Sequence, residues 1–263
     1  MGTDSAARPP SVAAARVLGV IPARLGAERL PGKPLRMLGG KPLIERVARN
    51  ARASGVLETV VVATDADDVV RAAARAGCVG VRTAAAHESG TSRVAEVAAR
   101  EEYRGFDVIV NVQGDEPFLP PEAIRGAVEE VLGGADIGTA AVPLDGAGAV
   151  SPNVVKVVLR EDGRAMYFSR SLIPYPRDGG AGATYWQHLG VYAFRPAALA
   201  RWMALAPTAA ERAEKLEQLR PLAHGMAIGV ARLDRAAPPG IDTEDDLKRA
   251  EAYLLARGES GSG

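Results

Sequence analysis

The chain has 263 residues, 47% hydrophobic and 24% charged, which is the composition of a globular protein with room for a sizeable core and not of a disordered one. Thirty-two acidic residues balance thirty-two basic ones, so the charge points to neither nucleic acid nor an anionic membrane as partner. A single cysteine, Cys78, excludes an internal disulfide framework and cysteine-cluster metal sites, three scattered histidines argue against a zinc site, and no apolar run reaches the roughly 18–20 residues of a membrane span.

Residues 1–15 are rich in Ala, Pro and Ser and lack the apolar core of a signal peptide, which reads as a disordered tail on a cytoplasmic domain spanning 16–263. The spacing then predicts strands over Val17–Pro22, Thr59–Thr64, Val79–Thr83 and Val108–Val112. Helices alternate with them over Pro42–Ala53, Ala66–Ala76, Ser92–Glu102 and Pro121–Leu132. This alternation predicts an α/β fold, with a mostly parallel sheet covered on both faces and ligand loops along the rim of strand carboxyl ends. In the second half, Val154–Leu159 and Ala165–Ser169 flank the turn Glu161-Asp162-Gly163, an expected hairpin. A strand over Leu189–Phe194, helices over Pro196–Leu205 and Ala209–Leu222 and a strand over Ala227–Leu233 follow. Thr243 with Asp246 forms a capping-box pattern opening a last helix, Glu244–Ala256. No linker or repeat separates the halves, so one domain with an antiparallel insertion is expected.

Three segments carry candidate chemistry. The loop from Pro22 to Pro34 places Arg24, Arg29 and Lys33 among glycines at the ligand rim, where arginine forks and a lysine ammonium suit phosphate oxygens; a solvated basic loop is the alternative. It is neither a GxxxxGK[ST] phosphate loop nor a GxGxxG dinucleotide fingerprint. The run Val110-Asn111-Val112-Gln113-Gly114-Asp115-Glu116-Pro117 ends an apolar strand in polar residues: Asp115 suits a hard metal ion and Gln113 a substrate hydrogen bond, unless Asp115 only closes an Asx turn. Asp242, in Gly240-Ile241-Asp242-Thr243, adds a second acid, for which helix capping is the simpler reading. Together, two separated acids and a cationic loop make the parts of a magnesium–triphosphate site.

The stretches PARLGAERLPGKPL, VVVATDADDV, HESGTSR, VIVNVQGDEP, SPNVVKVV, YFSRSLIPYPRD, HLGVYAFR, LEQLRPL and GIDTEDDL stand in one order along nearly the whole chain. In that order and at those separations the chain resembles the 3-deoxy-manno-octulosonate (Kdo) cytidylyltransferases. The resemblance implies a Rossmann-like nucleotidyltransferase fold, CTP and Mg²⁺ as cosubstrate and cofactor, and a homodimer. It implies attack by a hydroxyl of the acid sugar Kdo on the α-phosphorus of CTP, with release of pyrophosphate. On the matching positions it implies nucleotide binding by Ala23, Arg24, Arg29, Lys33, Ser89, Gly90 and Arg93, with His87 nearby, and catalysis by Arg24, Lys33 and Asp115. It implies metal binding by Asp115 and Asp242, and acceptor binding by Gln113, Arg170, His188, Glu217 and Gln218. Read without the resemblance, His188 is a packed strand histidine, Glu217 and Gln218 lie on a solvated helix, and Arg170 belongs to a surface ion pair.

The chain departs from the common family pattern at Ala86 and Ser92, where acids are frequent, and at Gln187, where a basic residue is frequent. Relatives in antibiotic pathways act on small phosphonates such as phosphonoformate, which gives the alternative acceptor. A nucleotide-binding protein without activity is a third reading, opposed by the retained acids and cationic loop.

Overall fold

The computed structural model describes residues 12–26, 29–177, 183–238 and 240–258. Most of the expected tail therefore lies outside the described residues. Its last part, 12–15, forms a turn that packs Val12 and Ala15 against the core.

The first half follows the alternation read from the sequence. In order come β1 (Val17–Ala23), a small hairpin of β2 (Met37–Leu38) and β3 (Lys41–Pro42), α1 (Leu43–Ala53), β4 (Thr59–Thr64), α2 (Asp67–Arg75) and β5 (Val79–Arg82). Then come α3 (Gly90–Ala98), β6 (Val108–Val112) and α4 (Pro121–Leu132). β1 is flanked in parallel by β4 and β6, and β5 adds to β4. Covered on both faces, β1 divides its side chains between two apolar layers. Val17, Ile21 and Ala23 meet α1, α2 and α4, whereas Leu18 and Val20 face the layer of α3.

The second half contains β7 (Ile137–Leu144), α5 (Gly146–Ala149), β8 (Lys156–Leu159), β9 (Ala165–Ser169) and β10 (Tyr185–Phe194). It closes with α6 (Pro196–Ala204), α7 (Ala209–Glu214), α8 (Leu219–Ala223), β11 (Ile228–Arg232) and α9 (Glu244–Ala256). The sheet runs β11-β7-β10-β6-β1-β4-β5. β10 is antiparallel to both β6 and β7, and the β8–β9 hairpin hangs on it as the antiparallel insertion. The α/β class with a parallel half and an antiparallel part is as expected. Among the described residues no helix is long and apolar enough to cross a membrane.

Two expectations fail in this half. The strand β7 was not anticipated, because Gly138-Thr139-Ala140-Ala141 has neither bulky β-formers nor polar alternation. It is a strand because tertiary contact demands it: α4 lies so close that a Cβ on Gly138 would sit 1.8 Å from the Ala127 carbonyl oxygen. The single helix expected over Ala209–Leu222 is broken. Lys215 adopts the left-handed region with φ 54°, and Pro221 has no amide to donate to the turn before it. Glu214 is meanwhile drawn to β9, accepting from Ser169 Oγ at 2.6 Å and from the Arg170 amide at 2.9 Å. Glu217 and Gln218 consequently sit in the break and not on a solvated helix.

Gly138→Ala should lower stability by about 1–3 kcal/mol, since α4 must retreat from β7 to admit one methyl group. Urea unfolding checks this, with a lowered midpoint expected and an unchanged midpoint excluding the close approach.

Candidate active site

Three segments distant in sequence meet at the carboxyl ends of β1 and β6. Gly32, with φ 66°, turns the chain so that Lys33 opens a short 3₁₀ turn. The Lys33 ammonium uses its donors on Asp115 Oδ2 at 2.7 Å, Asp242 Oδ1 at 2.9 Å and the Ile241 carbonyl at 3.1 Å. Arg29 reaches the other oxygen of Asp242 at 3.0 Å. The Ile241 amide donates to the Asp115 carbonyl at 2.9 Å, tying the loop before α9 to the loop after β6. Burial disfavours the Lys33 ammonium, but Asp115 and Asp242 outweigh it and hold its pKa above the usual lysine value.

These contacts speak against the simpler local readings of the two acids. Asp115 spends its carboxylate on Lys33, 82 positions away, and not on an amide of its own turn. Asp242 is no cap either. Thr243 accepts from the Asp246 amide and Asp246 answers back, a complete capping box that leaves Asp242 facing the cleft. Two carboxylates converging on one cationic centre are suitable donors for a hard divalent ion that takes its remaining oxygens from water and phosphate. Among the described residues no group of three or more His, Cys, Asp or Glu is placed to cage a metal unaided.

The cleft that opens from this point has a volume of about 1040 Å³. Arg24 is exposed on its wall, whereas the Ala23 side chain is packed in the core and leaves its backbone to the cleft. Ser89 caps α3, its Oγ accepting from the Ser92 amide, so that helix starts two residues earlier than expected. Arg93 is 2% exposed, bonds the Thr83 hydroxyl and lies 3.8 Å from Asp65, beneath the wall it helps to line. His87 is turned to α3, with Nε2 2.6 Å from Glu96 and Nδ1 3.1 Å from the Ser92 hydroxyl. Ser92 thus serves as capping-box partner and histidine partner together.

At the other end of the cleft stand the expected acceptor residues. Gln113 follows β6, its amide bonded to the Gly190 carbonyl. Among the described residues Arg170 makes no ion pair: Nε donates to the Glu214 carbonyl at 2.8 Å and a terminal nitrogen to the Pro152 carbonyl at 3.1 Å. Gln218 is 3% exposed. Glu217 accepts from Ser89 Oγ at 2.8 Å and Thr91 Oγ1 at 2.7 Å, joining the acceptor wall to the start of α3. His188 stands between the rings of Phe168 and Tyr192, and burial pushes its pKa down to about 3. It is a neutral imidazole and supplies no charge to an anion.

Four residues escaped the sequence reading as individuals: Glu116 and Tyr192 line the cleft, and Lys156 and Thr139 are buried behind it. Glu116 packs against Gly190 and Gly240, where a Cβ would lie 3.0 and 3.1 Å from its Oε1. Burial, then Asp115 and Asp242, push its carboxyl up to about 8. Lys156, fully buried, donates to the carbonyls of Ser151, Val154 and Arg170 at 2.9, 2.7 and 2.5 Å, and burial lowers its pKa. Its motif was visible in the sequence, though not its role of clamping the acceptor-side loops. Tyr192 lines the cleft with its pKa raised by burial and by Glu217 and Glu116. Thr139, on the unanticipated β7, bonds His188.

The family model for cytidylyltransferases matches residues 18–228. The chain belongs to that cytidylyltransferase family. It is 54% identical over 242 residues to a 3-deoxy-manno-octulosonate cytidylyltransferase of Gemmatimonas aurantiaca, covering 90% of this chain and 93% of the relative. It is 45% identical over 244 residues to the enzyme of that name from Acidobacterium capsulatum, covering 92% and 97%. Among solved structures it is similar to CMP:2-keto-3-deoxy-manno-octonic acid synthetase complexed with CTP. That match has a TM-score of 0.85 and 37% identity, and covers 92% of this chain and 99% of the other. A 4-diphosphocytidyl-2C-methyl-D-erythritol synthase from Anaerococcus prevotii shares the fold, with a TM-score of 0.61, 15% identity and the same coverage.

The buried neutral state of His188 is testable by ring-proton NMR. An unfolded histidine titrates near 6.5 and this one near 3, so the unfolded chain binds the extra proton first as pH falls. The stability contributed is fully present above about 6.5 and is lost progressively towards 3. The His188 ring signals should stay fixed from pH 8 to pH 5; a midpoint near 6.5 would contradict the assignment.

Proposed function

We propose that this cytidylyltransferase transfers CMP from CTP to Kdo and releases pyrophosphate. The observation that carries this reading is the convergence of Lys33 and Arg29 on Asp115 and Asp242 at one end of a cleft whose other end is walled by Arg170, His188, Glu217 and Gln218. The names and CTP complex of the relatives support CTP as donor and Kdo as acceptor. A hydroxyl oxygen of Kdo bonds to the α-phosphorus and gives up its proton to solvent, and the α-phosphorus loses its bond to the bridging oxygen, which leaves with the pyrophosphate.

Arg24, Arg29 and Lys33 bring positive charge to the triphosphate, and Lys33 leaves its carboxylate partners to do so. A charge-assisted hydrogen bond of this kind is worth about 1.5–3 kcal/mol. Asp115 and Asp242 would hold Mg²⁺, which when bound neutralises charge on the phosphate oxygens. The helix start at Ser89 and Gly90 offers amides to the nucleotide side. On the acceptor side Arg170 meets the sugar carboxylate, while Gln113, His188, Glu217 and Gln218 provide hydrogen-bonding groups for a polyhydroxylated molecule. A wall this rich in polar groups rejects a small phosphonate, because most of those groups would be left unpaired. We place the working form in the cytoplasm as a homodimer, a reading supported by the sequence resemblance.

Pyrophosphate release with CTP and Mg²⁺ tests the reading, comparing Kdo with phosphonoformate. Kdo should be preferred by at least tenfold in kcat/KM, about 1.4 kcal/mol at the transition state. Asp115→Asn should lose at least a hundredfold in kcat with Kdo while keeping its Tm. A tenfold preference for phosphonoformate would reverse the acceptor assignment, and wild-type turnover by Asp115→Asn would remove the metal role.

A further inference from the structure

Thr139 and His188 share an arrangement that fixes where the imidazole proton resides. The ladder between β10 and β7 shifts register here: between the pairs Leu189–Ala140 and Ala193–Gly138, three residues of β10 stand opposite Thr139 alone. A bulge of this kind interrupts the ladder, and a buried carbonyl beside it needs a donor from elsewhere. Thr139 Oγ1 provides one, lying 2.7 Å from the Val191 carbonyl oxygen. That oxygen can only accept, so the single hydroxyl proton of Thr139 is committed to it.

The same Oγ1 lies 2.9 Å from His188 Nε2. With its proton already spent, Thr139 meets the imidazole as an acceptor, and Nε2 must carry a hydrogen. A neutral ring with hydrogen on Nε2 has a bare, accepting Nδ1. Among the described residues Thr139 is the hydrogen-bond partner of this ring, and Nδ1, which has no such partner, is not sealed from solvent on a ring that lines the cleft. Phe168 and Tyr192 at 5.0 and 5.4 Å prevent the ring from turning over easily. Among the described residues no carboxylate hydrogen-bonds to it to favour a second proton. The downward pKa shift from burial agrees with a neutral ring.

We propose that Thr139 is a positioning residue that locks His188 as the Nε2–H tautomer, so that Nδ1 accepts a hydrogen bond from a hydroxyl of the acceptor sugar. The part concerning the sugar rests on the proposed Kdo transfer; the tautomer does not. The lock adds specificity. A bare Nδ1 favours a hydroxyl donor and repels a carboxylate or phosphonate oxygen, so His188 selects a hydroxylated acceptor while Arg170 deals with charge. Thr139 itself is fully buried and touches no ligand-facing surface.

Long-range ¹H–¹⁵N NMR of the full chain, recorded without ligand, tests the tautomer. The wild-type spectrum should show a pyrrole-like Nε2 and a pyridine-like Nδ1 for His188, and Thr139→Ser, which keeps the hydroxyl, should match it. Thr139→Val, isosteric but lacking the hydroxyl, should give averaged nitrogen signals. Steady-state kinetics then tests the consequence. Thr139→Val should raise KM for Kdo about tenfold with KM for CTP unchanged, and Thr139→Ser should restore it. Hydrogen on Nδ1 in the wild type, or a wild-type KM for Kdo in a folded Thr139→Val, would overturn the proposal. Failure of the wild type to turn over Kdo would instead overturn the acceptor assignment, while the NMR result would still decide the tautomer.

Discussion

A lysine ammonium held between two carboxylates organises the molecule's working end. Lys33 belongs to the loop after β1, Asp115 to the loop after β6 and Asp242 to the approach to α9, and the ammonium ties all three. The grouping is half withdrawn from water, where a charge without a partner is costly, so the three loops hold one another in place. It also shows how a loop this rich in cations can be stable on carboxylate partners alone. Lys33 has a resident pair of carboxylates, and those carboxylates are themselves suited to a divalent cation. Binding of a metal–triphosphate pair can exchange partners while leaving every charge matched.

The other end of the cleft, the proposed acceptor side, is shaped chiefly by backbone irregularity. At the β10 bulge Thr139 donates to the Val191 carbonyl, and the same short stretch brings Gly190 close enough for Gln113 and Glu116 to pack against it. Breaking the α7–α8 helix releases Glu217 and Gln218 into the cleft. Lys156, spending three donors on three carbonyls, ties the 151–154 loop to the Arg170 backbone. Edge-on and tilted ring contacts among Phe168, His188, Tyr192 and Trp202 form a floor beneath these polar groups.

Much of this was legible in the sequence, for identifiable reasons. Thr59–Thr64 and Val108–Val112 are β-branched runs whose bounds the structure reproduces, because strands buried on both faces write continuous apolar sequence. β7 was hidden because its small residues answer to α4 packed against it. The helix break at Lys215 was hidden because a residue other than glycine in the left-handed region leaves no compositional mark. In the site, Arg29, Lys33 and Asp115 were visible from residue type and position. Local sequence favoured capping for Asp242, and only the resemblance raised His188, Glu217 and Gln218 above packed or solvated residues. Thr139 carried no signal at all: its role exists only where β7 and β10 fall out of register.

On the proposed function, the Lys33–Asp115–Asp242 grouping binds metal and triphosphate together. Isothermal titration of CTP, with and without Mg²⁺, tests it most directly in the wild type and in a variant carrying both Asp115→Asn and Asp242→Asn. The wild type should bind CTP markedly more tightly with Mg²⁺ than without, and the variant should show nearly equal affinities in the two conditions. A variant that keeps the full magnesium enhancement would place the metal elsewhere and contradict the account.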